Sequence, residues 1–85
     1  MTGWLRSVAL AGAAGLPVSS HLYPEVSSHL FRVTETADWL EWIDWSQPIL
    51  AEPYTVADGH VTPRDVPGND LEWDEAAVKR FAWDG

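Results

Sequence analysis

A histidine and a glutamate lie where two predicted strands end. His21 closes the apolar segment that begins at Leu16, and Glu41 lies near the end of Trp39–Ile43. Adjacent parallel strands are about 4.8 Å apart, so an imidazole and a carboxyl group at neighbouring strand ends can reach one small ligand. A neutral imidazole can accept a proton, and a carboxyl group kept protonated can donate a hydrogen bond to a developing oxyanion. The pair therefore fits abstraction of a proton next to a carbonyl or carboxylate.

A structural interpretation of the same two residues stays open on spacing alone. His21 follows two serines and can simply satisfy local backbone groups. Glu41, between Leu40 and Trp42, can alternate outward to water. Strand-end position favours chemistry but does not exclude these roles.

The three histidines do not form a recognisable zinc motif. His29 falls in the middle of a predicted helix, opposite its apolar row, and is expected on the solvated surface. The spacings from His21 to His29 and on to His60 match no known ligand pattern, and the chain has no cysteine.

Two further clusters favour packing and capping. Three acidic residues lie around the start of the last predicted helix and suit its positive end: Glu72, Asp74 and Glu75. Three tryptophans recur at a period of three residues: Trp39, Trp42 and Trp45. Because tryptophan buries a large area wherever it packs, we expect these rings at packing surfaces and interfaces, with ligand stacking as the weaker alternative.

The elements that position His21 and Glu41 are predicted in the order helix, strand, helix, strand. The first helix follows Thr2 as N-cap and ends at Gly15, a strand covers 16–21, a second helix runs from Pro24 to about Val33, and a second strand covers 39–43. Two strands joined through a helix form a right-handed parallel unit in nearly every known case. Because both faces of a parallel sheet must be covered by other elements, we expect this unit to be part of a larger sheet.

Beyond Asp44 the chain carries turn signals. Asp58-Gly59, flanked by short apolar runs, predicts a hairpin, and a second turn is predicted at 67–70. Asp74 is the predicted N-cap of a last short helix, Glu75 to about Phe81.

Size and charge bound the classes of function. The chain has 85 residues, one small domain at most, and a formal charge of -8, which repels nucleic acid and anionic bilayers. The apolar stretch Leu5–Val18 is too short and too interrupted by Arg6, two glycines and Pro17 to span a membrane. A signal peptide is the alternative for that stretch, but its helical spacing favours a folded helix, and Leu-Pro-Val at its end leads into a polar Ser-Ser-His instead of an Ala-x-Ala cleavage site.

Four segments together resemble the C-terminal part of the mandelate racemase and muconate lactonizing enzyme group of the enolase superfamily. They are Thr-Gly-Trp-Leu-Arg at 2–6, Leu-Pro-Val-Ser-Ser-His-Leu-Tyr-Pro-Glu-Val at 16–26, Ala-Asp-Trp-Leu-Glu-Trp-Ile-Asp at 37–44, and the Pro-Gly and Glu-Trp-Asp-Glu pieces within 67–75. The resemblance implies an α/β fold: the C-terminal fragment of a (β/α) barrel, followed by a hairpin-containing tail and a short helix. Residues 1–47 would be the last βα units, and 48–85 a tail returning to the capping domain.

The resemblance also implies roles for individual residues. His21 would be the base that ends the seventh barrel strand, and Glu41 the residue ending the eighth that hydrogen-bonds the substrate carboxylate. Leu22 and Ile43 would line the apolar side of the pocket. The Lys-x-Lys base, the aspartate behind the histidine and the ligands of the Mg²⁺ cofactor lie upstream of the matched part in the family, so this chain alone is expected to be inactive.

The resemblance implies an enzyme that removes the proton α to a carboxylate with Mg²⁺. The leading hypothesis is racemisation of a 2-hydroxy acid, and the alternative is dehydration of an acid sugar. Partners would be that small carboxylate, the rest of the barrel and capping domain, and further copies in a cytoplasmic homo-oligomer. From a different class, the chain by itself would be a non-catalytic fragment or a docking module.

Overall fold

A computed structural model describes residues 1–85, which divide into two compact units, residues 1–43 and 44–85. The first unit contains helix α1, Thr2–Ala14, and helix α2, Pro24–Phe31. The second contains a short 3₁₀ helix at Gln47–Ile49, strands β1 (Val56–Ala57) and β2 (His60–Val61), and helix α3, Glu75–Phe81.

Helix α1 ends as predicted but begins earlier. Gly15 adopts the left-handed conformation at φ 65°, and its N–H bonds the carbonyl of Gly12, which confirms the predicted C-terminal glycine. Thr2 is not the N-cap: it lies inside the helix, because the N–H of Leu5 already bonds the carbonyl of Met1. The first turn therefore has no side-chain cap.

Helix α2 starts at Pro24, where a preset φ is favourable, and the residue before it, Tyr23, has a positive φ of 49°. The apolar row predicted here, Val26, Leu30 and Val33, is not the buried face of the helix: Val26 and Leu30 are only half-buried. Val33 lies beyond the helix and is 60% exposed, while the buried positions of α2 are Pro24, Glu25, Ser27 and Ser28. A unit of two short helices has too little apolar surface to cover that row.

Side chains near the helix ends connect α1 to the segment after α2. The Trp4 and Phe31 rings lie 5.8 Å apart, and Trp4 Nε1 donates a hydrogen bond of 2.9 Å to Thr34 Oγ1. Thr34 is buried, and its hydroxyl donates to the carbonyl of Leu30 at 2.8 Å. These contacts connect Thr34, which precedes the second predicted strand, to both helices.

The two predicted strands, 16–21 and 39–43, are not regular strands here. They are extended segments, and the one parallel bridge joins Val18 to Ala37, just before the second of them. The parallel direction agrees with the prediction, but the register shifts between Val18 and Ser20, and neither segment has a further strand beside it in this unit. An isolated pair of segments is only marginally stable, and the interrupted ladder leaves a single bridge between these two.

The second unit follows its turn signals closely. β1 and β2 pair antiparallel around Asp58 and Gly59, which confirms the predicted hairpin, and both turn residues have the positive φ values, 51° and 72°, that short hairpin turns favour. Asp74 caps α3 as predicted, accepting the N–H of Ala77 at 3.0 Å. The apolar core here consists of Leu50, Tyr54 and Ala77.

Candidate functional site

The site is built on the parallel contact between the two extended segments. The N–H of Val18 donates to the carbonyl of Thr36 at 2.8 Å, and the N–H of Asp38 donates to the carbonyl of Val18 at 2.9 Å. This is the slanted alternation of a parallel ladder, with Val18 opposite Ala37.

The register changes immediately after this bridge. The N–H of Val18 donates to the carbonyl of Thr36, eighteen residues later in the chain. The N–H of Ser20 donates to the carbonyl of Trp39, nineteen residues later, at 2.9 Å. The second segment thus carries one extra residue, as in a β-bulge. The two serine hydroxyls accept the adjacent donors: Ser20 Oγ from the N–H of Glu41 at 3.1 Å, and Ser19 Oγ from the N–H of Trp39 at 3.3 Å.

The structure brings His21 and Glu41 into direct contact. His21 Nδ1 lies 2.8 Å from Glu41 Oε2, and the same oxygen accepts the N–H of Leu22 at 2.6 Å. The His21 side chain is 79% exposed and that of Glu41 39% exposed. One carboxylate oxygen is therefore held by a backbone donor and an imidazole, while the imidazole remains open to solvent.

Two consecutive residues after His21 have left-handed backbones. Leu22 has φ 59° and Tyr23 φ 49°, a conformation that costs about 1 kcal/mol or more for side-chain-bearing residues. The turn directs the Leu22 N–H at Glu41, and Ser27 Oγ of α2 donates to the Leu22 carbonyl at 3.3 Å. Leu22 and Ile43 are both half-buried, and their role in lining a pocket stays a prediction.

The hydrogen bond from the Leu22 N–H is the main cause of the lowered pKa of Glu41. Burial is the next largest effect and raises the pKa, while the charge and the hydrogen bond of His21 lower it further. Glu41 is therefore a carboxylate at neutral pH in this chain. The expected protonated form would need an additional negative charge beside it.

The remaining histidines are dispersed. His29 is half-buried in α2 and has a bonding partner, so it is not the solvated residue that was predicted, because α2 buries its polar face. His60 lies in the hairpin, where its Nδ1 is 2.8 Å from the carbonyl of Asp58. No three histidine, aspartate or glutamate side chains lie close enough together to hold a metal ion.

The three tryptophans predicted at packing surfaces and interfaces differ in exposure. Trp39 is 72% and Trp45 77% exposed, whereas Trp42 is half-buried. An interface role for the two exposed rings stays a prediction.

A second polar cluster, which the sequence did not indicate, lies in the unit 44–85. The Arg64 guanidinium lies 4.5 Å over the Tyr54 ring and donates a hydrogen bond of 2.9 Å to the Glu52 carbonyl. Its Nε lies 2.7 Å from Asp70 Oδ2, which makes an ion pair without a hydrogen bond from Nε. The Tyr54 hydroxyl donates to the same Asp70 oxygen at 2.8 Å. These residues tie the loop around 64–70 to the buried Tyr54, a structural role.

Sequence reasoning also missed Ser19 and Ser20. Both hydroxyls accept backbone N–H groups of the opposite segment. The one available signal was a pair of serines directly before a strand-end histidine.

Neither α1 nor any other helix has the length and hydrophobicity required to cross a membrane.

Comparison with known proteins matches this arrangement over most of the chain. An enolase from Bradyrhizobium complexed with magnesium and mandelic acid is 48% identical, with a TM-score of 0.86 over 93% of this chain and 22% of that one. An enolase from alpha pretobacterium bal199 with bound magnesium is 54% identical, with a TM-score of 0.88 over 94% of this chain and 22% of that one. The chain thus spans about a fifth of the length of these relatives. The family model described as enolase C-terminal domain-like matches residues 1–77, and the chain belongs to that family.

Proposed function

We propose that this chain supplies the last βα units of an enolase-type barrel and, within the whole barrel, two residues that act on a small carboxylate substrate. The observation that carries the proposal is the 2.8 Å contact between His21 and Glu41, at the carboxyl ends of two parallel segments. Active sites of parallel α/β folds form at such ends. The mandelic acid bound to the Bradyrhizobium relative supports a small 2-hydroxy carboxylate as the substrate class.

The barrel assignment is supported by the local topology. Val18 and Ala37 pair parallel, with α2 between them in the chain, as in a β-α-β unit. In this proposal residues 1–47 belong to the barrel, and 48–85 form the tail that returns to a capping domain. The rest of the barrel then covers the apolar row of α2 and supplies the second neighbour of each extended segment.

In the proposed reaction His21 acts as a base at the α-carbon. Its unprotonated ring nitrogen takes the α-proton and becomes imidazolium, while the electron pair of the C–H bond moves into the carboxylate to give an enolic intermediate. Delivery of a proton to the opposite face of the enolic intermediate, from the protonated form of a second base outside this chain, gives the other enantiomer. The 79% exposure of the His21 side chain leaves its ring accessible to a substrate.

Glu41 acts on the substrate carboxylate. A substrate anion beside the Glu41 carboxylate repels it and raises its pKa, which favours the protonated form. The protonated form donates a hydrogen bond that strengthens as negative charge develops on the substrate oxygens. Leu22 and Ile43, next along the chain from the pair, are the proposed apolar lining.

Magnesium, which is bound in both relatives, does not fit the residues of this chain. The Glu41 oxygen that faces His21 is already occupied by the Leu22 N–H, Asp74 caps α3, and no acidic cluster remains. The ion would have to be held by residues outside residues 1–85.

The experiment uses a protein that carries this segment in a whole barrel. Each enantiomer of mandelate, and separately a panel of acid sugars, is incubated with it, and products are followed by chiral chromatography and by assay for 2-keto acids. We expect interconversion of enantiomers, lost in His21→Asn and kept in His60→Asn, a matched change in the exposed hairpin. Formation of 2-keto acids from the sugars would instead support the dehydratase alternative, and no turnover of either class would favour a docking module.

A further inference from the structure

We propose that Ser20, assisted by Ser19, is a positioning residue: its hydroxyl holds the one-residue register shift that puts Glu41 beside His21. The inference rests on the proposed function for its catalytic consequence, but the geometry that carries it lies in the backbone.

The unshifted register would separate the pair. Continued regularly from the Val18–Ala37 bridge, the ladder would place Ser20 opposite Trp39 and His21 opposite Leu40. Glu41 would then lie opposite Leu22. Because successive side chains of a strand point to opposite faces, the Glu41 and His21 side chains would project on opposite sides of the segments.

The observed register joins them. The bond from the Ser20 N–H to the carbonyl of Trp39 places Ser20 opposite Leu40, and therefore His21 opposite Glu41. Residues directly opposite each other share a face and have backbones about 4.8 Å apart. That is the spacing at which the 2.8 Å contact between Nδ1 and Oε2 forms.

In the shifted register two backbone donors bond serine hydroxyls. A shifted ladder would send the Glu41 N–H to the carbonyl of Ser20, but it bonds Ser20 Oγ instead, at 3.1 Å. The N–H of the extra residue, Trp39, ends on Ser19 Oγ at 3.3 Å. Ser20 is only 8% exposed, so water is a poor substitute for its hydroxyl as acceptor. Alanine at this position would remove the acceptor that the Glu41 N–H uses.

Glu41 is thereby held at both ends. Ser20 fixes its backbone, and the left-handed Leu22 directs an N–H at its carboxylate at 2.6 Å. The carboxylate can meet both His21 and the Leu22 N–H only in the shifted register. Loss of the Ser20 hydroxyl should therefore reach the carboxylate, although Ser20 does not touch it.

The test is NMR on the 85-residue chain. Contacts between the His21 ring and the Glu41 side chain are followed by NOE, and the Glu41 carboxyl is titrated through its ¹³C shift. In the unaltered chain we expect the NOEs and a Glu41 pKa below that of the same chain in urea. In Ser20→Ala we expect loss of the NOEs and return of the pKa to the value in urea. Ser20→Thr, which keeps a hydroxyl, should retain both signals.

Ser28→Ala is the matched control for folding, because Ser28 is also buried but donates to the carbonyl of Glu25 within α2. It should leave both signals unchanged. Retention of both signals in Ser20→Ala, their loss in Ser20→Thr, or their absence in the unaltered chain would overturn the proposal. Because no turnover is measured, a whole-barrel protein that fails to act on carboxylates would refute the proposed function without changing this result.

Discussion

The Glu41 carboxylate shows how one residue depends on backbone geometry. Its orientation is set by an N–H from a left-handed residue and by the imidazole of His21, and the same contacts lower its pKa. The sequence predicted both His21 and Glu41 because strand ends are recognisable from apolar runs. It did not predict Ser20, because a shift in register depends on where individual donors find acceptors, which apolar patterning does not encode.

Replacement of Glu41 by glutamine tests its proposed role in the whole barrel. Glutamine keeps a donor of similar shape but is a much poorer acid, so it cannot strengthen its bond as the enolic intermediate forms. We expect kcat to fall by about 10²–10⁴-fold with KM little changed, as when an oxyanion donor is lost. Glu35→Gln, a nearby charge change outside the pair, serves as control. Steady-state kinetics with near-normal kcat in Glu41→Gln would remove Glu41 from the mechanism.

Among the elements, those set by local signals were predictable and those set by distant partners were not. The Asp58-Gly59 turn and the Asp74 cap appear where expected, since each needs only a few neighbouring residues. The strands at 16–21 and 39–43 reduce to one bridge, because a parallel strand depends on neighbours outside this pair. The apolar row predicted on α2 is incompletely buried for the same reason.

Helix α3 offers a test at this scale. Asp74→Ala removes the acceptor of the Ala77 N–H and should destabilise the helix by about 1 kcal/mol, which corresponds to roughly fivefold faster amide exchange at 75–81. Asp84→Ala makes the same charge change beyond the helix and should leave exchange there unaltered. The measurement is hydrogen exchange by NMR. Equal exchange in Asp74→Ala and the unaltered chain would show that the cap does not stabilise α3.

In the molecule as a whole, many large apolar side chains are exposed. No large side chain is fully buried, whereas Leu10, Trp45 and Trp83 are 74%, 77% and 90% exposed. We therefore expect the 85-residue chain by itself to unfold with weak cooperativity and to self-associate. Urea unfolding and analytical ultracentrifugation measure the two properties. A sharp two-state transition of a monomer would contradict this expectation.

Magnesium binding is a second property of the whole chain. Because no acidic cluster is present, we expect calorimetry to detect no stoichiometric binding of magnesium by residues 1–85 alone. A whole-barrel relative with bound magnesium, such as the alpha pretobacterium bal199 enolase, is the positive control. One ion bound with micromolar affinity by this chain would show that it carries its own site.

The most direct test of the central claim, that His21 is a base at the α-carbon, is exchange of the α-proton in heavy water by a whole-barrel protein carrying this segment. Each mandelate enantiomer is followed by ¹H NMR with the unaltered protein and with His21→Asn, both normalised to folded protein. We predict that the variant interconverts neither enantiomer. Exchange of the α-proton should stop for the enantiomer whose α-proton faces His21, whereas the base on the opposite side should still exchange the α-proton of the other enantiomer. Equal exchange of both enantiomers at the unaltered rate would contradict the account.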